Sequence, residues 1–175
     1  MGINLLIYNQ TYKNNIMELK LFDNGADFSD CRKYRYTLWR TWNSDKPKIM
    51  FLGLNPSTAD EVKNDPTVTR CINYAHKWGY GGMYMMNIFA FRTTYPIELK
   101  KAKDPIGSDN DKWILLISKK VDLCIGAWGN DGQYLNRSSR IKELVQNLYC
   151  LKINSSGEPA HPLYLKASLK PSRFI

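Results

Sequence analysis

The sequence predicts an α/β domain, and three observations carry that prediction. IMFLGLN (49–55) is a continuous apolar run too short for a helix, as expected of a strand covered on both faces, and the apolar-rich MYMMNIFAF (83–91) and VDLCIGAW (121–128) read as two more strands. Between them lie stretches of ten or more residues with apolar positions at helical spacing. Strands alternating with such helices require crossover connections, so the sheet is expected to be mostly parallel with helices on both sides. The expectation is a three-layer α/β/α domain with a mostly parallel four-stranded central sheet and additional N-terminal antiparallel strands. A chain of 175 residues has room for one such domain, 1–175, in which 1–45 forms N-terminal strands or a hairpin packed on a 46–170 α/β core.

The elements follow in order. MGINLLIYNQTYKNNIMELKLF mixes short apolar and polar pieces, and the segment from Cys31 to Asn43 alternates, which predicts a strand with one face buried. NSDKPK is turn-forming and leads into the first apolar run. Asn64-Asp65-Pro66 then supplies a helix cap and a first-turn proline, and Val68, Cys71, Ile72, Ala75 and Trp78 keep helical spacing up to Gly79, predicting a helix over 66–78. GYGG turns the chain into the second run. Thr94 and Pro96 open another helical stretch, and Ser108 to Lys120 carries Trp113, Leu116 and Ile117 on one side. After the third run, Ser138 to Tyr149 reads as an amphipathic helix through Ile141, Leu144, Val145 and Leu148, and CLKIN (150–154) as a fourth strand.

Lysine and arginine number 25 against 16 acids, a formal charge of +9 that favours polyanions, so a nucleic acid or nucleotide is the expected partner. The four cysteines stand far apart and only two histidines occur, so zinc-ligand spacing is absent; neither a metal nor another cofactor is expected. Cys71, Cys124 and Cys150 fall in apolar segments, as reduced core cysteines do. G-x-x-x-x-G-K-[ST], G-x-G-x-x-G and G-x-S-x-G are all missing, which argues against P-loop, dinucleotide-binding and nucleophile-elbow chemistry. No leader-like or membrane-spanning stretch is evident, and the expected setting is cytoplasmic, with no membrane partner.

In sheets of this kind ligands bind beyond the carboxyl ends of the strands. Asn55-Pro56, the segment from Asn87 to Arg92, and Trp128-Gly129-Asn130 each follow such an end, and would converge on one crevice. LGLNPSTAD can be a plain turn, with Gly53 allowing close approach and Pro56 stopping the strand. Read with its neighbours it is unusually polar: Gly53, Leu54, Asn55, Pro56, Ser57 and Thr58, together with Asn87, are candidates to line a ligand site. Asp65 is a helix cap and, alternatively, a second acid near a bound water. Arg92 is a candidate phosphate contact, or an ion-pair partner for Asp65.

Cys31-RKYRYTLWR, LNPSTADEVKNDPTVTRC, WGYGG, NIFAFR, DPIGSDND, AWG and GEPAHPLYLK resemble, from about Cys31 to Lys166, a bacterial and phage family of unknown function, DUF1643. A looser similarity, an apolar strand ending in GLNP and a late His-Pro segment, is to the uracil-DNA glycosylase superfamily. That similarity implies a uracil-DNA-glycosylase-like fold and matches Asn55 to the residue that positions water and His161 to the histidine that steadies the leaving base. The serine that usually follows the His-Pro pair in that superfamily is replaced here by Leu163. Hydrolysis of a glycosidic bond needs an oriented water, stabilisation of a cationic sugar and donors to the departing base, with Phe89 or Trp128 stacking on a flipped base. The expected activity is thus a metal-independent DNA N-glycosylase acting on a modified or damaged base. The alternatives are a catalytically silent nucleotide-binding accessory protein and an enzyme of a nucleotide or base-modification pathway.

Overall fold

The computed structural model describes residues 24–175, so the short strand pieces expected within 1–23 lie outside the described residues. Its centre is β3 (Lys48–Gly53), where Ile49, Met50, Phe51 and Leu52 are all fully buried. Successive side chains of a strand point to opposite faces, so β3 feeds two cores at once. Met50 and Leu52 join Tyr84 and Met86 of β4 (Gly82–Asn87) on one face. There they meet Leu99 of α2 (Pro96–Lys101), Ile114 and Ile117 of α3 (Asn110–Ser118) and Ile141 of α4 (Arg137–Leu144). Ile49 and Phe51 join Met83 and Met85 on the other face, against Val68, Cys71 and Ala75 of α1 (Pro66–Lys77). Helices therefore cover both sides of the sheet. A slip of β3 by one residue would exchange the two sets of side chains, so packing on both faces fixes its register.

The sheet is seven-stranded and mixed, wider than the mostly parallel four-stranded centre with N-terminal antiparallel strands that was expected. Its order is β1 (Gly25–Phe28), β2 (Arg35–Thr41), β4, β3, β5 (Leu123–Gly126), β6 (Leu148–Cys150) and β7 (Ser172–Arg173). β3 pairs in parallel with β4 and β5, and β5 in parallel with β6, whereas β1–β2, β2–β4 and β6–β7 are antiparallel. The expectation that β2 buries one face fails, because all of its residues but Thr41 are buried. It lies between β1 and β4 and carries its polar groups, Arg35, Thr37 and Arg40, inward.

The helix expected to reach Tyr149 ends at Leu144, and the strand expected at 150–154 is Leu148–Cys150. Val145 has already left the helical conformation (φ −114°, ψ 104°), and Asn147 in the left-handed region (φ 55°) turns the chain into Leu148, which pairs with Cys124. Two short 3₁₀ segments, Asn130–Asn136 and Pro162–Tyr164, complete the regular structure among the described residues. The C-terminal segment lies along α1, where the Tyr74 hydroxyl donates to Lys166 O (2.8 Å) and Trp78 Nε1 to Leu169 O (3.3 Å). This strapping brings the His161 region to the N-terminal side of the same helix.

Candidate functional site

A polar cavity of about 200 Å³ opens where the parallel strands end. Gly53, the last residue of β3, sits beside Asn87, the last of β4. A Cβ on Gly53 would fall 2.7 Å from Met85 Cε and 2.8 Å from Asn87 Nδ2, so glycine is what lets both side chains form the wall. Beyond the strand the chain enters LNPS. Asn55 Nδ2 donates to Thr93 O (2.7 Å) and to Pro56 O (3.1 Å), and Thr93 N donates to Pro56 O (3.0 Å). The loops after β3 and β4 are thereby laced together. Both Nδ2 bonds fix the carboxamide plane, while Oδ1 has no acceptor duty among the described residues and is left to receive a hydrogen bond. The carboxamide at this strand end thus ties two loops and presents an oriented acceptor.

The strongest side chain in the wall is one that the sequence reading did not select. Arg35 is 2% exposed and lines the cavity, with Nη2 donating to Asn87 Oδ1 (2.8 Å) and Nη1 to Ala59 O (3.0 Å). By strict alternation it would share the face of Thr37 and Trp39. The β1–β2 pairing, however, passes from Asp27 opposite Thr37 to Phe28 opposite Arg35, so Tyr36 is an extra residue. This β-bulge turns Arg35 to the face of Leu38, whose neighbour on β4 is Met85, two residues before Asn87. Alternation read from the sequence has no means of locating such an insertion. Burial pushes the Arg35 pKa down to about 10, with the Asp65 charge opposing the shift.

Asp65 caps α1 by accepting from Val68 N (2.8 Å) and also lines the cavity, so the capping role is present and the carboxylate faces the site as well. His161 reaches the cavity from the C-terminal strap. Its Nδ1 accepts from Leu163 N (3.4 Å), which places the proton of the neutral ring on Nε2. Burial holds its pKa below the usual histidine value, with the Asp65 charge again opposing. Trp128 lines the same space but is 2% exposed, its Nε1 donating to Glu158 Oε2 (2.5 Å) while Ser138 Oγ donates to Glu158 Oε1 (2.9 Å). A Cβ on Gly132 would come 2.1 Å from Trp128 Cδ1, so the indole is locked in place by glycine on one side and a buried carboxylate on the other.

Of the residues selected from sequence, Gly53, Leu54, Asn55, Ser57, Asp65, Asn87, Trp128 and His161 line this one cavity. Four do not. Pro56 contributes its carbonyl to the loop lacing, and Thr58 is exposed outside the cavity. Phe89 is fully buried against Tyr134, where it has no free face for a base. Trp128 likewise offers little open ring. Arg92 forms no ion pair with Asp65; its Nη1 donates to Arg32 O (3.2 Å) and its guanidinium lies 4.7 Å from the centre of the Phe28 ring. It lines a neighbouring, more open cleft of about 440 Å³ with Arg32, Lys33 and Phe91, and Ser57, Thr93 and Thr94 border both spaces. Besides Arg35, the residues Thr67, Val68, Met85, Thr93 and Thr94 line the cavity without having been singled out from the sequence as site residues. Thr94 reads as a helix-opening residue, and nothing local marks the three threonines as facing a cavity.

Cys71, Cys124 and Cys150 are buried free thiols, and no three metal-ligating side chains cluster among the described residues. No helix there is long and apolar enough to cross a membrane. No curated protein and no solved structure matches the chain. The profile of one family, described as a protein of unknown function, matches residues 35–163, a span that runs from the buried arginine to the His-Pro segment and takes in every wall of the cavity. The chain belongs to the DUF1643 family.

Proposed function

We propose that the cavity recognises a nucleobase or nucleotide and, in a uracil-DNA-glycosylase-like manner, hydrolyses the N-glycosidic bond of a modified or damaged base in DNA. In this reading Asn55 Oδ1 orients a water whose oxygen bonds to C1′ as the C1′–N bond breaks. The base leaves with the bonding pair, steadied by the Nε2–H of His161, and the water's proton passes to Asp65. One observation carries the reading: two groups separated by more than half the chain line one cavity, each with its functional atom unclaimed by the protein. The adjoining cleft with Arg32, Lys33 and Arg92 would take the backbone phosphates.

The test is incubation with oligonucleotides containing uracil, hypoxanthine or modified pyrimidines, followed by alkaline cleavage at abasic sites. Cleavage of at least one substrate is expected, with Asn55→Ala slower by roughly a hundredfold, the effect of losing one group aimed at the transition state, about 3 kcal/mol. No cleavage, or an unaffected Asn55→Ala, removes the hydrolytic assignment. A second reading, a protein that holds a free nucleotide without cutting it, is favoured by the lack of an open aromatic face in the cavity, since Phe89 and Trp128 are both buried. It is distinguished by nucleotide binding with no cleavage.

A further inference from the structure

Two arginines of this domain are equally buried, at 2% exposure each, and their surroundings differ. Arg137 donates Nε to Ile88 O (2.7 Å) and pairs through Nη2 with the carboxylate of Asp111. Its charge is answered within the protein. Arg40, also buried, spends its guanidinium on Asn64 Oδ1 and the carbonyls of Gly25, Trp39, Asp60 and Lys63, clamping the loop before α1. Arg35 has neither arrangement. Of the five N–H donors of a guanidinium, it uses one on Ala59 O and one on Asn87 Oδ1, both uncharged, and its Nε is buried without a partner. It makes no ion pair among the described residues.

A buried cation with no counter-charge is costly to the fold unless something else supplies the charge. Asp65, on the same cavity, interacts with Arg35 at longer range, while Arg92 and Arg40 add positive potential. The two neutral acceptors hold the planar fork in one orientation, so a ligand meets donors already placed. Ser57, Thr67 and Thr93 bring hydroxyl-bearing side chains to the same walls.

We propose that the cavity is an anion receptor: a compact oxyanionic group, of the size of a carboxylate or phosphate, binds on the Arg35 guanidinium. The proposal rests on reading this cavity as the ligand site, and it names the charge that the ligand brings there. That oxyanion comes either on an acidic heterocycle or as the phosphate of a nucleotide.

Titration calorimetry of the full chain with uracil, with orotate (the same ring bearing a carboxylate) and with inorganic phosphate separates the sources. At least one of the two anions binds at least about tenfold more tightly than uracil, the factor expected for a charge-assisted bond. Preference for orotate assigns the charge to a heterocycle, and preference for phosphate assigns it to a nucleotide. Arg35→Gln lowers that affinity by at least about tenfold. Anions that bind no better than uracil, or an Arg35→Gln protein with undiminished affinity, overturn the proposal. Should Arg35→Gln not fold, Asp65→Asn decides: asparagine keeps the cap and removes the opposing charge, so anion binding tightens, whereas unchanged or weaker binding overturns the receptor. Failure of oligonucleotide cleavage with anion binding intact removes only the hydrolytic reading, and cleavage by Arg35→Gln at the unaltered rate removes only the receptor.

Discussion

His161 is the residue at which local geometry, burial and pH meet. Leu163 N occupies its Nδ1, burial lowers its pKa, and Asp65 restrains the shift without reversing it. The native state therefore takes up a proton less readily than the unfolded chain, whose imidazole titrates near 6.5. Between the lowered native value and 6.5 the unfolded state holds more protons, so stability rises with pH in that window. The contribution is complete above the unfolded value and is lost as pH falls through the native one. His161→Gln is expected to flatten the slope of unfolding free energy against pH below about 6.5, read from denaturant titrations at a series of pH values. An identical slope in both proteins would contradict the half-buried neutral imidazole.

Among the elements, α1 shows what a local signal can specify. Asn64-Asp65-Pro66 marks the helix start, and the structure has Asp65 as cap on Val68 N with Pro66 in the first turn. Replacing Asp65 by alanine removes an acceptor for an otherwise orphaned N–H and is expected to cost about 1 kcal/mol in urea unfolding, whereas asparagine is expected to be nearly neutral. Equal losses in both variants would mean that the carboxylate's charge, not its capping oxygen, matters to the fold. α4 shows the reverse. Its apolar period continues through Val145 and Leu148, yet the sheet takes Leu148 for β6, because pairing with Cys124 outweighs one further helical turn. β2 was legible as a strand from its alternation, while the bulge at Tyr36 that redirects Arg35 was not, since an extra residue is defined only by the partner strand.

At the scale of the whole molecule, the charge of +9 gains direction from the fold. Arg32 is bonded to Glu61 through both Nη atoms at an exposed site, an arrangement that contributes little to stability but ties the loop after β3 to the turn before β2. Lys33 and Arg92 line the cleft beside the cavity with it. If a nucleic-acid strand follows that cleft, binding should weaken steeply with salt, about a thousandfold between roughly 50 and 200 mM for some six phosphate contacts. The double change Lys33→Ala and Arg92→Ala should lower the slope of log affinity against log salt by about one to two. A salt-insensitive interaction would assign the basic cleft to the phosphates of a single small ligand.

The sequence by itself determined what depends on neighbours in the chain: the central buried strands, the capped start of α1, and the polar strand-end loop holding Gly53, Asn55 and Ser57. Those features are set by side-chain period, backbone restriction and capping, all of which act within a few residues. Only the tertiary structure decided that Phe89 is core, that Trp128 is pinned behind the wall, and that Arg35 faces the cavity with its charge unanswered. Each of these depends on which strand lies beside which and on what is left in contact with water, and burial and charge pairing are properties of that arrangement rather than of any local stretch of sequence.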